Sequence, residues 1–296
     1  MGLAASALIA LAAFTADSRG GAVTTPDEVV SYLARQIDDA ELIENPCEGV
    51  LAALWRDALS EAIASAEAER IEADLESLVA TAREALLREV GPVAADARAV
   101  FDPINLVFVL PSSDDRGSVQ RERELRLAFT QDQFWRAFRV AQLQPQSTLA
   151  GAPAEAFELR QICAVDLANA QWLEANVCAL VSSEAVRNGT IRATFTLLLH
   201  ADARPALQLA GVLALAEVPL DVGYESQRRQ MLARLADRLL LNQKNAQIFA
   251  TVWRCEGGRA VHPGDTPAEE HIRASREAFS LPAFDARRQA IEAHCR

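Results

Sequence analysis

A chain of 296 residues that is half apolar and 24% charged can bury a real core, and its composition is globular rather than disordered. Its net charge is −12 and its only lysine is Lys244, so it lacks the basic cluster that a nucleic-acid backbone or an anionic membrane surface requires. Neither is an expected partner.

In chain order, Leu3 to Ala16 form an uncharged apolar run, too short for a membrane span and of the length of a signal-peptide core. Small residues follow it. A signal peptide over residues 1–22 is expected, and with it a periplasmic or secreted protein with no integral membrane segment in its mature chain. The competing reading is a buried N-terminal helix, since no Lys or Arg precedes the run.

Thr25-Pro26-Asp27-Glu28 has the form of a capping box with proline at the first helical position, and Val29, Val30, Leu33 and Ile37 follow on one face. Leu51, Leu54, Trp55 and Ala58 predict a second helix, and 61–89 a third, with a stripe of Ile71, Leu75, Leu78, Ala82 and Leu86. That stripe suits a helical hairpin or, on a sharper reading, a coiled-coil partner. The N-terminal helices are thus the place where a protein partner would dock.

Gly91-Pro92 ends the third helix, and Ile104 to Leu110 is too short to assign as strand or helix by periodicity. The polar stretch 111–118 reads as a loop and a domain boundary. Beyond it, helices are predicted over 119–144, 157–179, 191–201, 206–217, 225–241, 267–279 and 285–294. Ile248 to Arg254 is β-branched and aromatic, and the turn Glu256-Gly257-Gly258-Arg259 follows it, which predicts a hairpin. The expected fold is therefore mainly α, a multi-helix bundle with one short β-hairpin near the C-terminus. A helical N-terminal region would span 23–111 and a helical domain 119–296.

The five cysteines form no CxxC pair, and their odd number leaves at least one thiol free or intermolecular. Cys163 and Cys178, fifteen residues apart on one expected helix, would lie roughly 22 Å apart, beyond disulfide reach. Both are expected as core packing residues. Cys255 and Cys295, each at the end of an element, are the favoured pair, with Cys47 as the rival partner for either.

From about Glu122 the chain carries a series of short motifs. Asp132, Gln133 and Arg136 lie on one helix, and Asp166 and Asn169 on the next. His200, Asp202 and Gln208 follow in LLLHADARPALQ, then the pair Asp237-Arg238, then Gln247 ahead of Phe249-Ala250-Thr251-Val252. In order and rough spacing these resemble a family of uncharacterised bacterial proteins, a domain of unknown function, over residues 122–296. A Gly-Trp-Pro segment expected from the resemblance is replaced by VSSEAVRNGTIRATF, and Gly and Gln of the last motif by Ala250 and Val252. The resemblance implies no reaction, cofactor or substrate.

The residues themselves suggest some chemistry. Asp166 and Asn169, three apart, share a helix face, and Asp132 and Arg136 have the spacing of an i,i+4 ion pair. His200 can act as a general base held by Asp202 or Asp132, or it can simply cap its helix. Asp237-Arg238 reads as a structural pair tying one helix to its neighbour. Cys255, His262, His271, His294 and Cys295 crowd the C-terminus without the spacing that presents two ligands to one ion. No GxSxG, phosphate loop or dinucleotide fingerprint is present, so no cofactor is expected.

These observations favour an exported helical protein with a binding or scaffolding role. The alternatives are an enzyme that gathers Asp132, Asp166, Asn169 and His200 in one polar cluster, or a degenerate relative that has lost its activity.

Overall fold

The computed structural model describes residues 21–38, 42–43, 68–110, 117–138, 152–182, 189–218 and 224–295. The apolar run 3–16, the second expected helix, Cys47 and nearly all of the loop 111–118 lie outside them. Helix α1 (Pro26–Gln36) begins as its sequence dictates: the Thr25 side chain accepts from the Glu28 backbone N–H, and the Glu28 carboxylate accepts from the Thr25 N–H. Val29 and Leu33, one turn apart, become its buried stripe.

Along helix α2 (Ala68–Glu89), Leu78, Ala82 and Leu86 of the predicted stripe are fully buried within the chain's own core. Helix α3 (Gly91–Ala97) follows at once and ends with Arg98 in the left-handed conformation. The ambiguous segment beyond it is a second, unexpected hairpin, β1 (Val100–Asp102) paired antiparallel with β2 (Val107–Val109). Asp102 closes its turn by accepting from the Ile104 and Asn105 N–H groups.

The long helices come next. Helix α4 (Ser118–Ala137) is shorter than the predicted 119–144, because Phe138 is already extended. The single helix predicted over 157–179 is two: α5 (Ala152–Glu174) and a turn, α6 (Val177–Leu180), separated at buried Asn176, whose Nδ2 donates to the Trp172 carbonyl. Then come α7 (Ile191–His200), α8 (Pro205–Glu217) and α9 (Glu225–Lys244). Gly211 lets α8 approach closely, since a Cβ there would stand 2.8 Å from Leu198.

The C-terminal hairpin is present but displaced. Ile248 to Trp253 form no strand; β3 (Arg254–Glu256) and β4 (Arg259–Val261) begin later and turn through Gly257 and Gly258, both at positive φ. The preceding loop is held from inside instead. Fully buried Asp237 of α9 accepts from the backbone N–H groups of Ile248, Phe249 and Thr251 at 2.7–3.0 Å. From the other side, Arg276 of α10 (Glu269–Ala278) donates to the carbonyls of Phe249 and Ala250. A carboxylate meeting three N–H donors is satisfied despite burial, whereas an apolar replacement would leave all three unpaired.

Helix α11 (Phe284–Glu292) packs beside β4, and Cys255 and Cys295 are disulfide-bonded with Cα atoms 5.3 Å apart. On the chain-entropy model a loop of 40 residues makes this bridge worth about 4 kcal/mol. Of the other two described cysteines, Cys163 is buried in the core as expected and is disulfide-bonded too, whereas Cys178 departs from the expectation, being free and exposed.

The described residues thus form a mainly α protein of eleven helices, with two small hairpins. Two apolar clusters share α4 as their wall. Leu125 faces one, with α1, α7, α8 and α9; Leu127 and Trp135 face the other, with α2, α3 and β2. Both clusters therefore combine residues from before and after the expected boundary at 111–118. No helix among the described residues is long and apolar enough to cross a membrane.

Candidate functional site

Where α4, α5, α7 and α9 meet, their polar residues are brought together. Asp132 leaves α4 at the seam between the two cores, with 1% of its side chain exposed. Arg136, one turn on, is the linchpin. Its Nε donates to Asp132 Oδ1 at 3.0 Å, and its Nη2 bonds both oxygens of Asp166 on α5 at 2.6 and 2.8 Å. His200, the last residue of α7, sets its Nδ1 2.8 Å from Asp132 Oδ1 and 3.0 Å from Arg136 Nε. An ionised Asp132 accepts from both, which places the imidazole proton on Nδ1 and leaves Nε2 with its lone pair. The ring is a quarter exposed, and Nε2 has no partner among the described residues.

A second ion pair adjoins the first. Asp202, in the turn between α7 and α8, is bonded by Nε and Nη2 of Arg238 on α9 and accepts from Gln208 Nε2 and Asn242 Nδ2. Asp237 and Arg238 are consequently no pair. Adjacent helical positions point about 100° apart, so Asp237 turns inward to the 248–251 loop and Arg238 outward to Asp202.

Of the four residues proposed for one cluster, Asp132, Asp166 and His200 converge and Asn169 does not. Asn169 lies one turn deeper on α5 than Asp166 and is 3% exposed. Its Nδ2 donates to the Ala128 carbonyl and its Oδ1 accepts from Gln131 Nε2, which fastens α5 to α4. Sharing a helix face was not enough, because a face is deep at one turn and shallow at the next. His200 is held by Asp132, and Asp202 is engaged elsewhere. The residues that the bare sequence undervalued are the arginines. For Arg136 the i,i+4 spacing from Asp132 was the available signal; for Arg238 its sequence neighbour pointed the wrong way.

The environment drives the two carboxyls at Arg136 apart. Burial works to raise Asp132, but the hydrogen bond and charge of His200, with Arg136 and Gln133, outweigh it and hold this carboxyl below its usual range. Burial pushes Asp166 up to about 7, only partly opposed by Arg136, with the charges of Asp132 and Asp202 adding to the rise. Asp132, Asp166 and His200 can each also offer a ligand atom to one metal ion, all within 4.8 Å of one another. The Arg136 guanidinium, however, already sits on both carboxylates, so a cation would first have to displace it.

Comparison with known proteins finds no counterpart: no family model, curated protein or solved structure matches this chain. What the cluster does must be read from its own geometry.

One consequence concerns stability. An Asp166 carboxyl raised from about 3.8 to about 7 keeps its proton in the folded protein over a range where the unfolded chain has lost it. That part of the stability is complete below the lower value and lost as pH rises through the upper one. Chemical denaturation of Asp166→Asn and wild type from pH 4 to 8 is expected to show the wild type losing stability relative to the variant across this window. A constant difference between the two would contradict the assignment.

Proposed function

We propose that the protein is an exported enzyme that performs acid–base chemistry at the Asp132–Asp166–His200 cluster, with His200 Nε2 taking a proton from water or a substrate hydroxyl. One observation carries this reading: the 2.8 Å contact of His200 Nδ1 with a carboxylate that is itself buried and pinned by Arg136. Such a partner fixes both the tautomer and the direction of the ring, and leaves the opposite nitrogen at an accessible edge. Asp166, kept partly protonated near neutrality, supplies a proton donor a few ångströms away; carboxyls pushed in opposite directions are what paired acid and base roles require. The residues that carry the resemblance to the uncharacterised family support the choice of place, since Asp132, Arg136, Asp166 and His200 belong to one hydrogen-bonded network and Asp202 and Arg238 form the ion pair beside it.

The binding or scaffolding reading rests on the acidic charge, the absence of a strong catalytic motif and the amphipathic N-terminal helices. The buried stripes of α1 and α2, which belong to the chain's own cores, give it less support than the polar cluster gives catalysis.

Export is supported by the apolar run 3–16 and by the disulfide between Cys255 and Cys295, since such bridges persist chiefly in oxidising compartments. Fractionation of the native host is expected to recover the processed chain outside the cytoplasm, and uncleaved cytoplasmic protein would refute it.

The catalytic reading is tested by screening the purified protein against chromogenic carboxylic esters, phosphoesters and glycosides. Turnover is expected to fall by roughly 100-fold or more in His200→Gln and in Asp132→Asn. An activity left intact by His200→Gln would remove His200 from the chemistry.

A further inference from the structure

In this strongly acidic protein several arginines are spent on structure: Arg276 donates to the carbonyls of Phe249, Ala250 and Pro282, and Arg228 to those of Ala216 and Val218. The two at the His200 cluster are used differently. Arg136 employs Nε on Asp132 and Nη2 on Asp166; Arg238 employs the same two nitrogens on Asp202. In each, the terminal Nη1 amine has no partner among the described residues, and the side chains are 28% and 36% exposed. Arg136 and His200 meet at Asp132, Arg238 holds Asp202 two residues after His200, and Asp166 lies within electrostatic reach of both guanidinium groups.

We propose that the site takes a small substrate bearing an oxyanion, phosphoryl or carboxylate, held by the Nη1 amines of Arg136 and Arg238 while His200 Nε2 faces the group next to it. This rests on the reading of the cluster as an acid–base centre and adds the class of molecule on which it acts.

The physical case has three parts. A guanidinium whose Nε edge is locked onto a carboxylate has already lost its side-chain freedom, so its remaining N–H groups bind at little further entropic cost. Two such amines offer four N–H donors, and oxyanions are the ligands that accept several charge-assisted hydrogen bonds at once. The carboxylates beside the two amines, Asp132, Asp166 and Asp202, are each already held by the arginine that would bind the anion, which offsets their repulsion.

The test uses the full mature chain with its arginines labelled with nitrogen-15, titrated at pH 6.5 and low ionic strength with inorganic phosphate and, separately, with acetate. The Arg136 and Arg238 Nε–H signals are expected to shift saturably with a Kd on the order of millimolar for at least one of the two anions. Arg136→Lys and Arg238→Lys, which keep the charge but lose the planar fork, are each expected to weaken binding about tenfold. Saturation by phosphate alone identifies a phosphoryl group; saturation by acetate alone identifies a carboxylate. Shifts that stay linear in both titrations, or a Kd that neither lysine variant changes, overturn the proposal. His200→Gln is expected to leave the anion affinity within about threefold while turnover is lost. Failure of oxyanion binding is therefore read separately from failure of the acid–base reading.

Discussion

A buried carboxylate is a liability unless every one of its lone pairs is used, and the arrangement around Asp132 follows from that constraint. With 1% of its side chain exposed, Asp132 must find donors inside the protein, and it takes them from Arg136, His200 and Gln133. Arg136 in turn brings Asp166 from α5, and His200 brings the end of α7. Three helices are thereby tied at a point where apolar contact alone would not fix their register. Removal of Arg136 would leave an uncompensated charge next to the core, which costs far more than the pair itself is worth.

The same logic recurs on α9, where neighbouring residues do opposite work. Asp237 is fully buried and organises the loop 248–251 through backbone N–H groups, while Arg238 reaches the accessible side and holds Asp202. A single step along the helix takes the chain from a structural anchor to a member of the candidate site. The anchored loop continues into the hairpin β3–β4, which the Cys255–Cys295 bridge joins to the chain's end, so the C-terminal elements are fixed by a covalent tie as well as by packing.

Much of the helical plan was legible in the sequence because its signals are local. The capping box at Thr25, the stripe of α2 and the Gly257-Gly258 turn depend on residues within a few positions of one another, and each appears as the pattern dictates. The failures share a cause in tertiary contact. Ile248 to Trp253 have strand-like side chains, yet their N–H groups go to Asp237, so no ladder forms. The hairpin at 100–109 was hidden because its strands are three residues each, too few for a period to show. In the candidate site, Asp132, Asp166 and His200 could be nominated from residue type and motif order. Which carboxylate would hold the histidine, and that Asn169 would sit a turn too deep, depended on how far each helix turn lies from the surface.

Everything proposed for the cluster turns on the proton that His200 carries at Nδ1. Nitrogen-15 NMR of the imidazole in the purified protein, at a pH where the ring is neutral, reports this directly. An Nδ1–H tautomer whose proton resonance moves on Asp132→Asn is the expected result. An Nε2–H tautomer, or an Nδ1 proton indifferent to Asp132, would mean that the ring is only a helix cap and that the cluster is held together for structure alone.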